Sequence, residues 1–274
     1  MKTYQYISVL IAAVLVFGSC RKVIDIDLNS AAKKYVIEGV ITNQQDSCKV
    51  LISQTVNFSD DNNVPAVSGA VITITDDAGN VTNLTETTAG TYQPVSFKGI
   101  PGKTYHLSVK IGEEVFTASS KMPALVPYDS LYVTETTLFD GLEKLATIEY
   151  QDPVGKGNSY RYIQYLNGKR EKTIFVENDE LTDGRSIKTE LLIFGDDSDT
   201  KEERDAKKIK SGDILRVDMM CIDQAVYKYW YSLLNSATGA NQQATPANPV
   251  SNISGGSLGY FSAQTYDTKT ITVP

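Results

Sequence analysis

From Tyr35 onward most of the chain is written in period two. Tyr35-Val-Ile-Glu-Gly-Val-Ile-Thr42 and Cys48-Lys-Val-Leu-Ile-Ser53 are rich in β-branched residues, whose side chains suit a pleated surface. Ser68 to Thr75 sets Ala70, Ile72 and Ile74 on one face and Val71, Thr73 and Thr75 on the other. Tyr105, Leu107, Val109 and Ile111 repeat the alternation. Asp77-Ala-Gly-Asn80, Gly90-Thr-Tyr-Gln93 and Gly99-Ile-Pro-Gly102 supply the turns between such runs. Strands about 8–12 residues apart with Gly, Asn and Asp between them predict a β-sandwich.

Met122-Pro-Ala-Leu-Val-Pro127 interrupts the series. Its two prolines favour extended backbone and resist joining a sheet, which places a domain boundary there. The alternation then resumes. Tyr160, Tyr162 and Gln164 oppose Arg161, Ile163 and Tyr165, a strand with aromatics on both faces, and Asn167-Gly168 is a hairpin signal. Asp223 to Leu234 predicts a helix capped by Asp223, with Val226, Trp230, Leu233 and Leu234 on one face. The charged run Asp196 to Lys210 mixes both signs and reads as a solvated loop or short exposed helix. The expected architecture is mainly β: an Ig-like β-sandwich at 33–122, then a β-rich domain at 125–274 with one amphipathic helix at about 223–234.

Ahead of the strands, Lys2 precedes an apolar block from Ile7 to Phe17, then Gly18, Ser19 and Cys20. A basic start, a short apolar centre and small residues before a cleavage point make an export signal. The block is shorter than the about 20 residues a spanning helix needs. A cysteine after the small pair resembles a bacterial lipoprotein signal: residues 1–19 are removed, Cys20 is acylated, and 20–32 form a lipidated tether. A formal net charge of -7 argues against a nucleic-acid partner. Cys48 and Cys221 lie far apart, and the sequence leaves open whether they pair.

Further landmarks accumulate along the chain. They are Cys20-Arg-Lys-Val-Ile-Asp-Ile-Asp-Leu28, Tyr-Val-Ile-Glu-Gly at 35–39, Val-Ser-Gly-Ala at 67–70 and Tyr-Gln-Asp-Pro at 150–153. Tyr-Lys-Tyr-Trp at 227–230 and the run from Pro246 to Phe261 complete them. Together they resemble the Bacteroidetes lipoproteins grouped as domain-of-unknown-function family 4249. The stretch from Gly69 to Val109 also resembles the transthyretin-like or carboxypeptidase-regulatory type of Ig-like sandwich. The first resemblance implies an outer-membrane lipoprotein accompanying a TonB-dependent receptor, and it supplies no catalytic residues.

The chemistry-bearing residues are few. His106 is the one histidine and falls on an outward face, so Ser/His and Cys/His catalysis and His-based zinc sites lack parts. No nucleotide or metalloprotease fingerprint is present, and the sequence assigns no cofactor, metal or catalytic residue. Carboxylate clusters at Asp60-Asp61, Asp76-Asp77 and Gly195 to Asp199 fit exposed loops better than a calcium site. The candidate binding residues are Asn248, Asn252 and Tyr260 in the Gly-rich C-terminal loop and Trp230 on the helix. The expectation is a non-enzymatic binding or accessory protein. The rivals are a carboxylate- or calcium-dependent hydrolase of glycans or peptides, and a structural or adhesive surface protein.

Overall fold

The computed structural model describes residues 32–57, 64–138, 141–193, 200–237 and 248–274. The leader, Cys20, Asp60-Asp61 and the Gly195–Asp199 cluster lie outside them.

The first sandwich begins with β1 (Tyr35–Thr42), β2 (Lys49–Gln54), β3 (Val71–Asp76), β4 (Val81–Thr88) and β5 (Thr91–Gln93). It continues with β6 (Thr104–Ile111) and β7 (Glu114–Lys121). Neighbours run β1-β2-β5-β4-β3-β6-β7 in one continuous antiparallel ribbon. The ribbon folds over so that Ile37, Ile41, Val50 and Ile52 meet Ile72, Ile74, Leu107, Val109 and Phe116 in one apolar core. Of these, Ile72, Ile74, Leu107 and Val109 are alternate residues that the period-two pattern places together on one face of their strands. His106 stays exposed on β6.

After the extended segment 122–127, β8 (Tyr128–Leu138), β9 (Gly141–Gln151) and β13 (Ser186–Leu191) form a three-stranded sheet in the order β13-β9-β8. It faces a second layer built from β10 (Ser159–Leu166), β11 (Lys169–Arg170), β12 (Phe175–Asn178), β14 (Ile214–Ile222) and β16 (Leu258–Thr272). Between the layers lie Tyr128, Ile148, Tyr150, Tyr160, Tyr162, Val217 and Met219. Asn167 and Gly168 both take positive φ, 51° and 80°, making the tight β10–β11 turn. Among the described residues there are two helices: α1 (Lys201–Lys207), inside the charged run, and α2 (Gln224–Ala237).

The expected boundary near 122–125 is crossed by the C-terminus. β15 (Ile253–Ser254) pairs with β7, and the first half of β16 runs parallel to β1, with Ile37 opposite Gly259. Ile253, Phe261 and Ala263 therefore belong to the first core. The second half of β16 pairs with β14, from Cys221↔Thr265 to Ile214↔Thr272, so one strand binds both sandwiches. Gly259 permits this. It sits at φ +95°, and a Cβ there would fall 2.0 Å from the Ile37 carbonyl oxygen. Alternation along one strand carries no record of which sheet it joins, and a parallel partner more than 200 residues away leaves no local trace.

Cys48 lies in the first core and Cys221 in the second; both are free and buried. Burial pushes the Cys48 thiol up to about 12, so it is inert at neutral pH.

Candidate functional site

Asp223 holds the junction between the sandwiches. Its Oδ1 accepts from Val226 N at 2.9 Å, capping α2 as the sequence predicts. Its Oδ2 accepts from Ser120 Oγ at 2.5 Å and from Lys121 N at 3.2 Å, at the end of β7. Ser120 Oγ in turn accepts from Ala263 N at 2.9 Å on β16. One carboxylate thus ties the helix, the first sandwich and the shared strand together.

Beside this tie opens a crevice of about 470 Å³. Met122, Pro123 and Ala124 of the linker form one wall, and Ser159, Tyr160 and Ile222 of the second sandwich form another. The wall is chiefly apolar, but Ser159 Oγ is buried there without a hydrogen-bond partner among the described residues. Such a space, with a few polar groups on an apolar wall, has the character of a small-ligand site.

A loop with a dense acidic cluster flanks the crevice. Carboxylate oxygens of Asp152, Asp179 and Asp183 lie within 4.8 Å of one another, and Asp152 and Asp179 are buried. Their oxygens already receive donors. Asp179 accepts from Gly157 N at 2.9 Å and Asn158 N at 3.0 Å. Asp152 accepts from Gly184 N at 2.9 Å and from the Tyr160 hydroxyl, and Asp183 accepts from Gly155 N at 2.7 Å. Three acids close together have the donor chemistry of a hard cation site. The hydrogen bonds make them a brace between the loops at 152–158 and 179–184. The Tyr-Gln-Asp-Pro landmark at 150–153 contains one member of the cluster, and nothing local reveals that residues 179 and 183 would join it.

The sequence-selected aromatics gather on the other side of β10. Because β10 alternates, Tyr160 and Tyr162 enter the second core while Arg161 and Ile163 face α2. Helix α2 lies across this outer sheet face, with Val226, Tyr229 and Trp230 buried against Met220, Ile222 and Tyr260. Trp230 and Tyr260 meet edge to face at 5.1 Å, and Tyr229 lies 4.8 Å from Tyr260. The Arg161 guanidinium stacks 3.6 Å from the Trp230 ring centroid. Tyr231, by contrast, is 49% exposed and stacks on Tyr227 at 5.6 Å.

Of the other two candidates, Asn252 closes its own turn. Its Oδ1 accepts from Phe261 N at 2.9 Å and its Nδ2 donates to Phe261 O at 2.8 Å, imitating a neighbouring strand. Asn248 is exposed. The structure therefore joins Trp230 and Tyr260, and adds Arg161 and Tyr229. Arg161 was legible only as one member of an alternating strand.

A family profile matches residues 21–270. The chain belongs to the family described as a domain of unknown function (DUF4249). The match spans both sandwiches and all but the last two residues of the strand that links them. Solved structures similar to this DUF4249 chain include a two fibronectin type-III domain segment from chicken tenascin, 13% identical. The similarity covers 69% of this chain and 91% of that one, with a TM-score of 0.21. A second is the chicken interferon gamma receptor alpha chain, 8% identical over 69% of this chain and 89% of that one, at a TM-score of 0.22. At these scores neither bears on the arrangement of the two sandwiches or on the site. No curated protein matches the chain. Among the described residues no helix is long and apolar enough to cross a membrane.

Proposed function

We propose that this chain is an envelope lipoprotein, held in the outer membrane through lipid on Cys20, with a non-enzymatic binding role beside a TonB-dependent receptor in nutrient uptake. The anchor reading is supported by the leader before Cys20. Two or more acyl chains on one cysteine hold a protein at a bilayer stably, where one chain does not.

The observation that carries the binding part is the crevice of about 470 Å³ between linker and second sandwich. Its walls are fixed by the Asp223–Ser120–Ala263 chain of hydrogen bonds, so little ordering opposes a ligand that enters. The Ser159 hydroxyl, unpaired among the described residues, gives the apolar space a point of polar recognition.

The test is purification from native membranes in mild detergent, with mass spectrometry of what accompanies the protein. A receptor and a small molecule are expected with the wild type. Ala124→Trp, which fills the crevice, is expected to lose the small molecule and keep the receptor. Recovery of neither under any growth condition would sink the reading. Turnover of a polysaccharide or peptide by the purified protein would replace it with a hydrolase.

A further inference from the structure

Arg161 is a buried cation with no counter-ion among the described residues. Its side chain is on the outer face of β10, with the residue 8% exposed, and its Nε has no hydrogen-bond partner among the described residues. Among those residues it forms no ion pair. Glu38, the acid that acts on it through space, is exposed on β1 and beyond ion-pair distance. Undescribed residues 238–247, which follow α2 directly, contain no Asp or Glu. Guanidinium is charged at any physiological pH, and enclosing an unpaired charge is costly. The Trp230 stack at 3.6 Å repays part of this cost, since it satisfies one face of the ion. It does nothing for the N–H donors, which lie in the guanidinium plane and point past the indole.

The surroundings limit what those donors can receive. Trp230 covers the ion, Tyr229 and Tyr260 pack against Trp230 and against each other at centroid separations of 4.8 to 5.4 Å, and both phenols act on Arg161 through space. Burial raises the hydroxyls of Tyr229, to about 12, and of Tyr260, so both phenols stay neutral and each offers an O–H donor. Arg170, at the edge of the sheet, adds a second positive charge acting on Arg161. A planar fork of donors with neutral phenols beside it matches a planar, fork-shaped acceptor. Aromatic walls match a flat or apolar body behind that acceptor. A chain with net charge -7 disfavours a dianion over a single negative charge.

We propose that the niche formed by Arg161, Trp230, Tyr229 and Tyr260 binds the carboxylate of a small organic anion. The carboxylate takes the in-plane donors of Arg161, and the aromatic rings pack against the carbon skeleton. None of these four residues lines the crevice, so the proposal stands without a ligand there.

The protein carries its own reporter, because Trp230 is the one tryptophan in the chain. The purified full chain is titrated with sodium benzoate, galacturonate, succinate and inorganic phosphate, and with benzamide as the neutral counterpart of benzoate. Tryptophan fluorescence and calorimetry are both recorded. At least one carboxylate is expected to saturate, with a Kd below about 1 mM, and benzamide is expected to give no saturation. Arg161→Lys keeps the charge without the fork, and is expected to weaken binding roughly 10- to 100-fold. Arg161→Met is expected to abolish it while circular dichroism remains that of the wild type. Arg216→Gln removes another arginine stacked on a ring, Tyr165 at 3.8 Å, and is expected to leave binding unchanged. The proposal is overturned if no carboxylate saturates or if phosphate alone does. It is equally overturned if benzamide matches benzoate, or if folded Arg161→Lys binds as tightly as the wild type.

Discussion

Two groups of buried charge flank β10, and the chain treats them in opposite ways. On one side Asp152 and Asp179 are enclosed with a full set of donors: backbone N–H groups of Gly157, Asn158 and Gly184 and the Tyr160 hydroxyl. One residue on from Tyr160 along β10, Arg161 is enclosed with one aromatic face and, among the described residues, no anion. Buried polar groups in folded proteins are normally satisfied, and the acids follow that rule because their loops wrap donors around them. The arginine departs from it. The contrast separates charge that holds the fold together from charge the fold must carry.

Breaking the acidic side is expected to have the largest effect. Asp179→Ala removes the acceptor for Gly157 N and Asn158 N and leaves both donors enclosed, so a loss of about 3 kcal/mol in urea unfolding is expected. A change under half that size would mean the loops do not depend on the brace. Tyr160→Phe removes the hydroxyl that donates to Asp152 and keeps the ring packed at 4.8 Å on Tyr150. A smaller loss of about 1–2 kcal/mol is expected by the same measurement.

On the cationic side the sign reverses. Arg161→Met removes a desolvated charge and forfeits the indole stack, and a gain of about 1 kcal/mol is expected. A loss of stability as large as that of Asp179→Ala would show that Arg161 has a structural partner after all. The pH dependence sharpens this test. Burial holds the Arg161 guanidinium down to about 10, below its ordinary 12.5. Its charge therefore opposes folding in full at neutral pH, and that opposition is relieved as pH rises through about 10. The advantage of Arg161→Met over the wild type should shrink over that window.

The smallest effect is expected at a third carboxylate, Asp76 on the first sandwich. Lys103 donates to its Oδ2 at 2.6 Å, and Asn80 donates from both backbone and side chain. These bonds, that from Lys103 foremost, hold the carboxyl below its ordinary 3.8. Its contribution is present above that value and lost as pH falls through the lower folded one. Asp76→Asn should unfold slightly earlier than the wild type at pH 7, and the difference should close in strong acid. A difference independent of pH would point to packing instead of charge.

Much of this was legible in the residues themselves. Alternation at Ile72 and Ile74 and at Tyr105, Leu107 and Val109 identifies core faces that the structure buries, because the pleat turns a period of two directly into inside and outside. Asp223 before Gln224 announces the helix cap, and Asn167-Gly168 the hairpin, since both are consequences of local backbone geometry. Trp230 and Tyr260 stand out as large aromatics, but sequence does not say that they would meet.

What the chain settled by itself was the set of strands, their inward faces and their turns, all of which depend on neighbours a few residues away. The tertiary structure alone decided the partnerships. It placed β16 against both β1 and β14, brought Asp179 and Asp183 to Asp152, and laid α2 over Arg161. The physical reason is that charge and hydrogen bonding act on what is near in space. Arg161 reads as an ordinary polar residue of an alternating strand until a helix more than 60 residues later closes over it. The two sandwiches read as separate until a glycine with room for no side chain lets the last strand run beside the first.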